Sequence, residues 1–320
     1  MKKIKIVSSA LITAIILTSC ATTSESANSQ ATNSHSKDKA PKEIVIEESP
    51  EDIFIKSLEG LSITKVSSPK EITKGKKFSE PFVFSASKAD QTPAEGLSLT
   101  LEYPAAKAEG KITFGKTVLI TDSEGKITFT PEDTSFAAKT SIKVYPTPLN
   151  DDESLLKRLE PFTASADYKV KSDIASKGAV LFVWDFNEKD RPVNNSYNIQ
   201  AEFRGRGITL VGNGPIGETS YIGKPKALYK DTYDIIGGSA YGYLIYGTIK
   251  FEEPVTALED ESGYYCILKA EIEAVNMKNG SLVYSSVTTY ESKGKNWNEC
   301  VSNGKDKLSE LVVSDIMYGL

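Results

Sequence analysis

The chain has 320 residues, 25% of them charged and 39% hydrophobic, a globular composition long enough for about two domains. With 43 acidic against 38 basic side chains the formal net charge is −5, which argues against a nucleic-acid partner. Its single histidine, His35, falls in a low-complexity stretch, so the commonest general base and metal ligand is missing from the part expected to fold.

The amino terminus is basic and then apolar. Met1-Lys2-Lys3-Ile4-Lys5 precedes an apolar run from Ile6 to Leu17, which closes on Thr18-Ser19-Cys20. That run is about a dozen residues, where a membrane-spanning helix needs roughly 20, and no basic stop-transfer flank follows it. The segment resembles a bacterial lipoprotein signal peptide with its lipobox, a large apolar residue and two small ones before a cysteine. The resemblance implies a leader over residues 1–19, removed in the mature protein, and a diacylated Cys20 as the lipid-attachment residue. Loss of Lys2, Lys3 and Lys5 takes the formal charge from −5 to −8. A multiply acylated cysteine holds a protein durably on its membrane, each buried methylene contributing about 0.8 kcal/mol.

Residues 20–57 read as the lipidated cysteine and a flexible tether. From Ala21 to Lys42 they are mainly Ser, Thr, Asn, Ala, Gln and Lys, with too little apolar surface to order themselves. Ile44 to Ile55 alternates apolar and acidic residues, and fits a first strand or more tether equally well.

Short alternating strands separated by turn residues occupy 58–174, at 61–67, 81–87, 97–103, 116–121, 126–130, 140–145 and 163–171. In Leu97, Leu99, Leu101 and Tyr103 every second residue is apolar, which places one face on a core. Asp122-Ser123-Glu124-Gly125 reads as a hairpin loop. Seven short strands without a long helix predict an all-β sandwich. The run from Gly110-Lys111-Ile112-Thr113-Phe114 through Thr117-Val118-Leu119-Ile120-Thr121-Asp122 to Phe129-Thr130-Pro131 resembles the bacterial immunoglobulin-like repeats of adhesins and envelope proteins. An amphipathic turn of helix interrupts the pattern between Leu149 and Pro161.

Over 175–320 strands alternate with helices. Ala179 to Phe186 is a continuous apolar run, as expected of a strand covered on both faces. A helix follows at 196–206, a strand at 208–211, a short helix near 227–236, and longer strands at 241–251, 264–276 and 281–291. Lys278-Asn279-Gly280 predicts a tight type I′ hairpin. Trp297, Val301, Leu308, Leu311, Val312 and Ile316 recur at helical spacing and predict a terminal packing helix.

This segment resembles the α/β domain shared by the curli-secretion lipoprotein CsgG, the flagellar assembly protein FlgT, the amino-terminal part of TolB and the periplasmic synthase-activating lipoproteins. The residues that carry the likeness are the Ala179–Phe186 strand ending in Asp185-Phe186, the strand 243–249 with its midpoint Gly247, and the strand, Asn-Gly turn, strand and helix that close the chain. The resemblance implies a mixed sheet with packing helices and a mode of action by assembly or by activating partners. The fold class expected is therefore two-domain, an immunoglobulin-like sandwich plus an α/β module.

Little in the chain points to chemistry. Val211-Gly212-Asn213-Gly214-Pro215-Ile216-Gly217 contains a literal G-x-G-x-x-G after a strand, but Pro215, Gly223 and Pro225 break the helix a dinucleotide site requires. The acidic clusters Asp151-Asp152-Glu153 and Glu259-Asp260-Glu261 lack calcium-loop spacing. No catalytic residue, cofactor or metal is assigned, and an enzyme is not expected. Cys266 and Cys300 form an even pair once Cys20 is lipidated, and are a candidate disulfide in a compartment outside the cytoplasm, with two buried thiols as the other reading. Among the tyrosines from Tyr229 to Tyr265, the residues Tyr241, Tyr243 and Tyr246 are candidate partner-binding side chains, Tyr241 and Tyr243 facing opposite Leu244 and Tyr246.

The expectation is a lipid-anchored lipoprotein of the outer membrane, on its periplasmic face or the cell surface, acting as a non-enzymatic binding, scaffold or assembly-accessory protein. Its expected partners are the membrane, through the anchor, and one or more envelope proteins, with a homo-oligomer also open. The alternatives are a subunit of an oligomeric secretion channel and a surface adhesin.

Overall fold

Chain entry into the folded part is fixed by a capped helix. In this computed structural model, which describes residues 48–320 apart from Glu109, Asp133, Ser239, Asp260 and Glu261, Ser49 accepts the backbone N–H of Asp52 at 3.1 Å and Pro50 takes the first helical position. The result is α1 (Pro50–Ser57), so the segment left open between strand and tether becomes helical from Pro50. The leader, Cys20 and His35 lie outside the described residues, as do Asp260 and Glu261 of the second acidic cluster.

The strands that follow are β1 (Ser62–Ser67), β2 (Ile72–Thr73), β3 (Phe82–Ser87), β4 (Ser98–Ala108), β5 (Lys111–Ile120), β6 (Lys126–Phe129) and β7 (Ala138–Pro146); then come α2 (Glu153–Arg158) and β8 (Ala164–Lys171). They make a three-stranded sheet in the order β1-β3-β6 and a five-stranded sheet in the order β2-β8-β7-β4-β5. The sheets meet over Phe82, Phe84, Leu99, Leu101, Ile142 and Tyr168, all fully buried. Each such aliphatic or phenyl side chain contributes about 1.5–3 kcal/mol by leaving water.

One hairpin here was not expected. β4 and β5 pair from Ser98 opposite Ile120 to Ala108 opposite Lys111, well past the strand end read at Tyr103. Pro104 reads as a strand breaker. It is tolerated because β7 pairs with β4 only from Leu99 to Glu102, so the missing N–H meets no demand on that side, and a bulge between Pro104 and Ala106 absorbs the misfit.

The rest of the chain is α3 (Ile174–Lys177), β9 (Ala179–Phe186), β10 (Pro192–Asn195), α4 (Tyr197–Gly205), β11 (Val211–Asn213), α5 (Pro225–Ile235), β12 (Tyr243–Ala257), β13 (Tyr264–Asn276), β14 (Leu282–Gly294) and α6 (Trp297–Gly319). The sheet runs β10-β9-β12-β13-β14, with β11 parallel to β9 beside its first residues. β9 is buried on both faces: Ala179, Leu181 and Val183 join the core under α4 and α6, while Val180 and Phe182 join the smaller core under α5. β12 comes close to β13 at Gly247, where a Cβ would lie 2.0 Å from the carbonyl oxygen of Glu271. The β13–β14 connection corrects the type I′ expectation. Asn276 and Ser281 close a longer loop in which Gly280 (φ 70°) has a positive φ and Asn279 does not.

The two sheet systems touch within one compact unit, Glu48–Leu320. The Ser172 N–H donates to the Met317 carbonyl at 2.7 Å, and the Tyr318 hydroxyl donates to Glu71 at 2.8 Å. Lys107 reaches the carbonyls of Ala137 and Gly319. The whole is a β-rich α/β fold of antiparallel and mixed sheets.

Candidate functional site

α5 is laid on the sheet by Leu228 and Thr232, and is held there by Tyr229, whose hydroxyl donates to the Met277 carbonyl at 3.2 Å. Pro225 starts it, which sets how far it reaches. It covers Val180, Leu244, Val275 and Met277, and the same sheet face continues past it. A cleft of about 350 Å³ opens there. Its apolar wall is Phe182, Ile222 and Leu228, its floor Tyr246, Gly247 and Thr248, and its far side Glu271, Glu273, Ser285 and Val287.

Tyr246 and Glu273 are cross-strand partners on β12 and β13. Burial, reinforced by the hydrogen bond to Glu273, holds the Tyr246 hydroxyl well above its ordinary range, so it is a neutral donor at physiological pH. Glu271 beside it is exposed and paired with Lys269 at 2.7 Å. Val287, 62% exposed, adds an apolar rim. An apolar wall, one oriented phenol and two carboxylates suit the capture of a side chain or short segment. No cluster of three metal-ligating side chains occurs among the described residues.

The structure separates the three candidate tyrosines. Tyr246 lines the cleft, and Tyr241 is partly exposed beside Gly178 on β12's approach. Tyr243 is not a surface residue, contrary to the sequence reading. It is 3% exposed on the opposite sheet face, where its hydroxyl donates to Asp173 and accepts from Lys74 Nζ at 3.0 Å. Alternation along β12 assigns opposite faces correctly, but both faces are covered, and that follows only from the placement of α6 and α5. Cys266 and Cys300 are both fully buried, with Sγ atoms 3.5 Å apart between β13 and the first turn of α6. Burial first, then the adjacent thiol, pushes Cys266 up to about 12. Val211–Asn213 is a strand and no helix starts at the glycines after it, because the Gly214 position lies against Val180 and Pro215 follows.

Glu273, Phe182 and Val287 were missed. Their signal lies in strand register, and the bulges of β12 between Phe251 and Glu253 and between Glu253 and Thr256 hide it from a linear reading.

Residues 178–317 match the TP0693-like lipoprotein, C-terminal domain family. The match supports a bacterial lipoprotein associated with a membrane, and no helix among the described residues is long and apolar enough to cross one. No curated protein matches the chain. Among solved structures, the PelC dodecamer from Paraburkholderia phytofirmans is similar at 17% identity, over 43% of this chain and 86% of its own, with a TM-score of 0.29. The hypothetical protein CT253 from Chlamydia trachomatis is similar at 13% identity, over 43% and 93%, also with a TM-score of 0.29. Lipoprotein GNA1162 from Neisseria meningitidis is similar at 18% identity, over 43% and 96%, with a TM-score of 0.23. Assembly as a dodecamer is a property of PelC.

Proposed function

We propose that the protein is a lipid-anchored lipoprotein of the bacterial outer membrane, held by a diacylated Cys20, that works without catalysis as a binding or assembly-accessory protein. In this reading residues 58–174 are an immunoglobulin-like spacer and 175–320 a docking module related to CsgG and the amino-terminal part of TolB. The cleft beside Tyr246 grips a segment of an envelope partner. The observation that carries the reading is that the residues matching a lipoprotein domain family, 178–317, also build the whole cleft. Tyr246 supplies apolar area with a hydroxyl oriented by Glu273, the combination of apolar body and polar tip that marks recognition sites.

A channel subunit is the less favoured reading. Its transmembrane strands would have to come from the β13–β14 hairpin, yet Cys266, Leu268, Ala270, Ile272 and Ala274 pack into the core beneath α6. Photo-crosslinking tests the proposal: a benzophenone residue at Val287, in the full chain in native envelopes, is expected to capture one or a few envelope proteins. Tyr246→Ala is expected to abolish that capture. Capture unchanged by Tyr246→Ala, or capture of further copies of this chain alone, would overturn it.

A further inference from the structure

The outward face of β5 carries Phe114, Val118 and Ile120, which are 43%, 55% and 70% exposed, with Lys116 between them. Strand alternation puts these four on one side, since Gly115, on the other, lies against Tyr103 and Ala105 toward the core. β5 is also a sheet edge. Leu149, 56% exposed, extends the patch: it lies on the segment that crosses from Thr147, bonded to Ser98 opposite Ile120, to Asp151, paired with Lys116 at 3.4 Å. Three exposed apolar side chains in a row on an edge strand are unusual for a protein surrounded by water on all sides.

The chain enters the folded body beside this patch. Glu51 of α1 accepts from Asn150, the residue after Leu149, at 3.2 Å, and Asp52 pairs with Arg158 of α2 at 2.9 Å. Cys20 is 28 residues before Glu48 in the sequence. A flexible chain of that length would have a root-mean-square span of about 30 Å, from about 5–6 Å × √n, within an extended limit of about 100 Å. A compact body of this size is about 50 Å across by the usual scaling of radius with length. That mean span is less than the width of the body, which favours the side on which α1 enters as the one nearer the anchor.

We infer that the β5 face with Leu149 is a membrane-contacting surface, on which Phe114, Val118 and Ile120 enter the headgroup region of the bilayer while Lys116 extends toward the phosphates. Long lysine stems suit that placement, with the charge at the polar level and the methylenes along apolar surface. The occupant is the lipid surface to which Cys20 fastens the protein. This inference rests on the anchoring reading above.

The test uses the full acylated chain in vesicles of phosphatidylethanolamine and phosphatidylglycerol. An environment-sensitive fluorophore is placed on Ile120→Cys and, as control, on Val66→Cys, whose exposed side chain belongs to the other sheet. Cys266 and Cys300 are fully buried and do not compete for the label. The expected result is a blue shift at position 120 with loss of emission to lipid-borne quenchers, and neither at position 66. A label at 120 as exposed to water as that at 66, in protein whose Cys20 peptide carries the acyl mass, overturns the membrane face and leaves the anchor standing. A shielded label at 120 that lipid-borne quenchers do not reach means another protein copy covers the face, and also overturns it. An unmodified Cys20 peptide overturns the anchoring reading and this inference with it.

Discussion

Asp185 and Lys305 meet 3.0 Å apart in the interior of the sheet–helix layer, the carboxylate side chain 3% exposed and the ammonium 18%. The pair joins the end of β9 to α6. Burial raises the Asp185 carboxyl despite the opposing pull of Lys305. Its folded pKa therefore lies above its unfolded value, and the charged form costs stability as pH rises past about 4.

Two substitutions separate the terms. Lys305→Met leaves a buried charge without its partner and is expected to lower stability at pH 7 by about 3–5 kcal/mol. Asp185→Asn removes the buried charge and leaves a lysine that solvent can reach, so stability at pH 7 is expected to stay level or rise, and the decline above pH 4 to flatten. Urea unfolding of both variants across pH 4–8 checks this, and an equal loss in both would contradict it.

Asp173 has the opposite sign. Burial pushes its carboxyl up, but Lys177, Tyr243 and Lys74 together outweigh it and hold it below the ordinary value. Its contribution is present above about pH 4 and is lost as pH falls through the lowered folded pKa. Because Lys74 comes from the segment after β2 and Tyr243 from β12, acid is expected to loosen the contact between the two sheet systems first. Hydrogen exchange at the Ser172 amide, bonded to Met317, reads that loosening directly. Tyr243→Phe is expected to cost about 1–2 kcal/mol and to speed the same exchange at neutral pH.

The predicted fold elements were legible where one local signal dominated: the apolar run of β9, the helical stripe of α6 and the alternation of β4 as far as Tyr103. What failed was whatever depended on a neighbour. Pro104 sits in a strand because β7 stops short of it, and Asn279-Gly280 makes a longer loop because the strands register at Asn276 and Ser281. Of the candidate site, Tyr246 was legible as one of three tyrosines; its carboxylate partner depends on pairing across β12 and β13, which bulges obscure.

Gly247 tests that pairing. A methyl group there would lie 2.0 Å from backbone, which has no rotamer to yield, so Gly247→Ala is expected to cost about 3 kcal/mol, high for overpacking, and to distort the cleft floor. Gly217→Ala, with open space around it, is the control and should change little. Thermal unfolding of the two variants gives the comparison.

The Sγ atoms of Cys266 and Cys300 lie 3.5 Å apart. In an oxidising compartment a disulfide-exchange oxidant is expected to take two electrons and two protons from the pair and form one sulfur–sulfur bond, tying α6 to β13. Chain-entropy reasoning puts the gain at about 3–4 kcal/mol. Protein extracted from its envelope under alkylating conditions should be two hydrogens lighter than its reduced form, and should unfold at lower temperature after reduction. Full alkylation of both thiols in denatured, unreduced protein would contradict this.

The most direct test of the account is the mass of the intact complex extracted in mild detergent from native envelopes. The account predicts one copy of a chain that lacks residues 1–19 and carries acyl groups on Cys20, together with one or a few distinct envelope proteins. A large ring of this chain alone, or a chain with residues 1–19 retained and Cys20 unmodified, would contradict it.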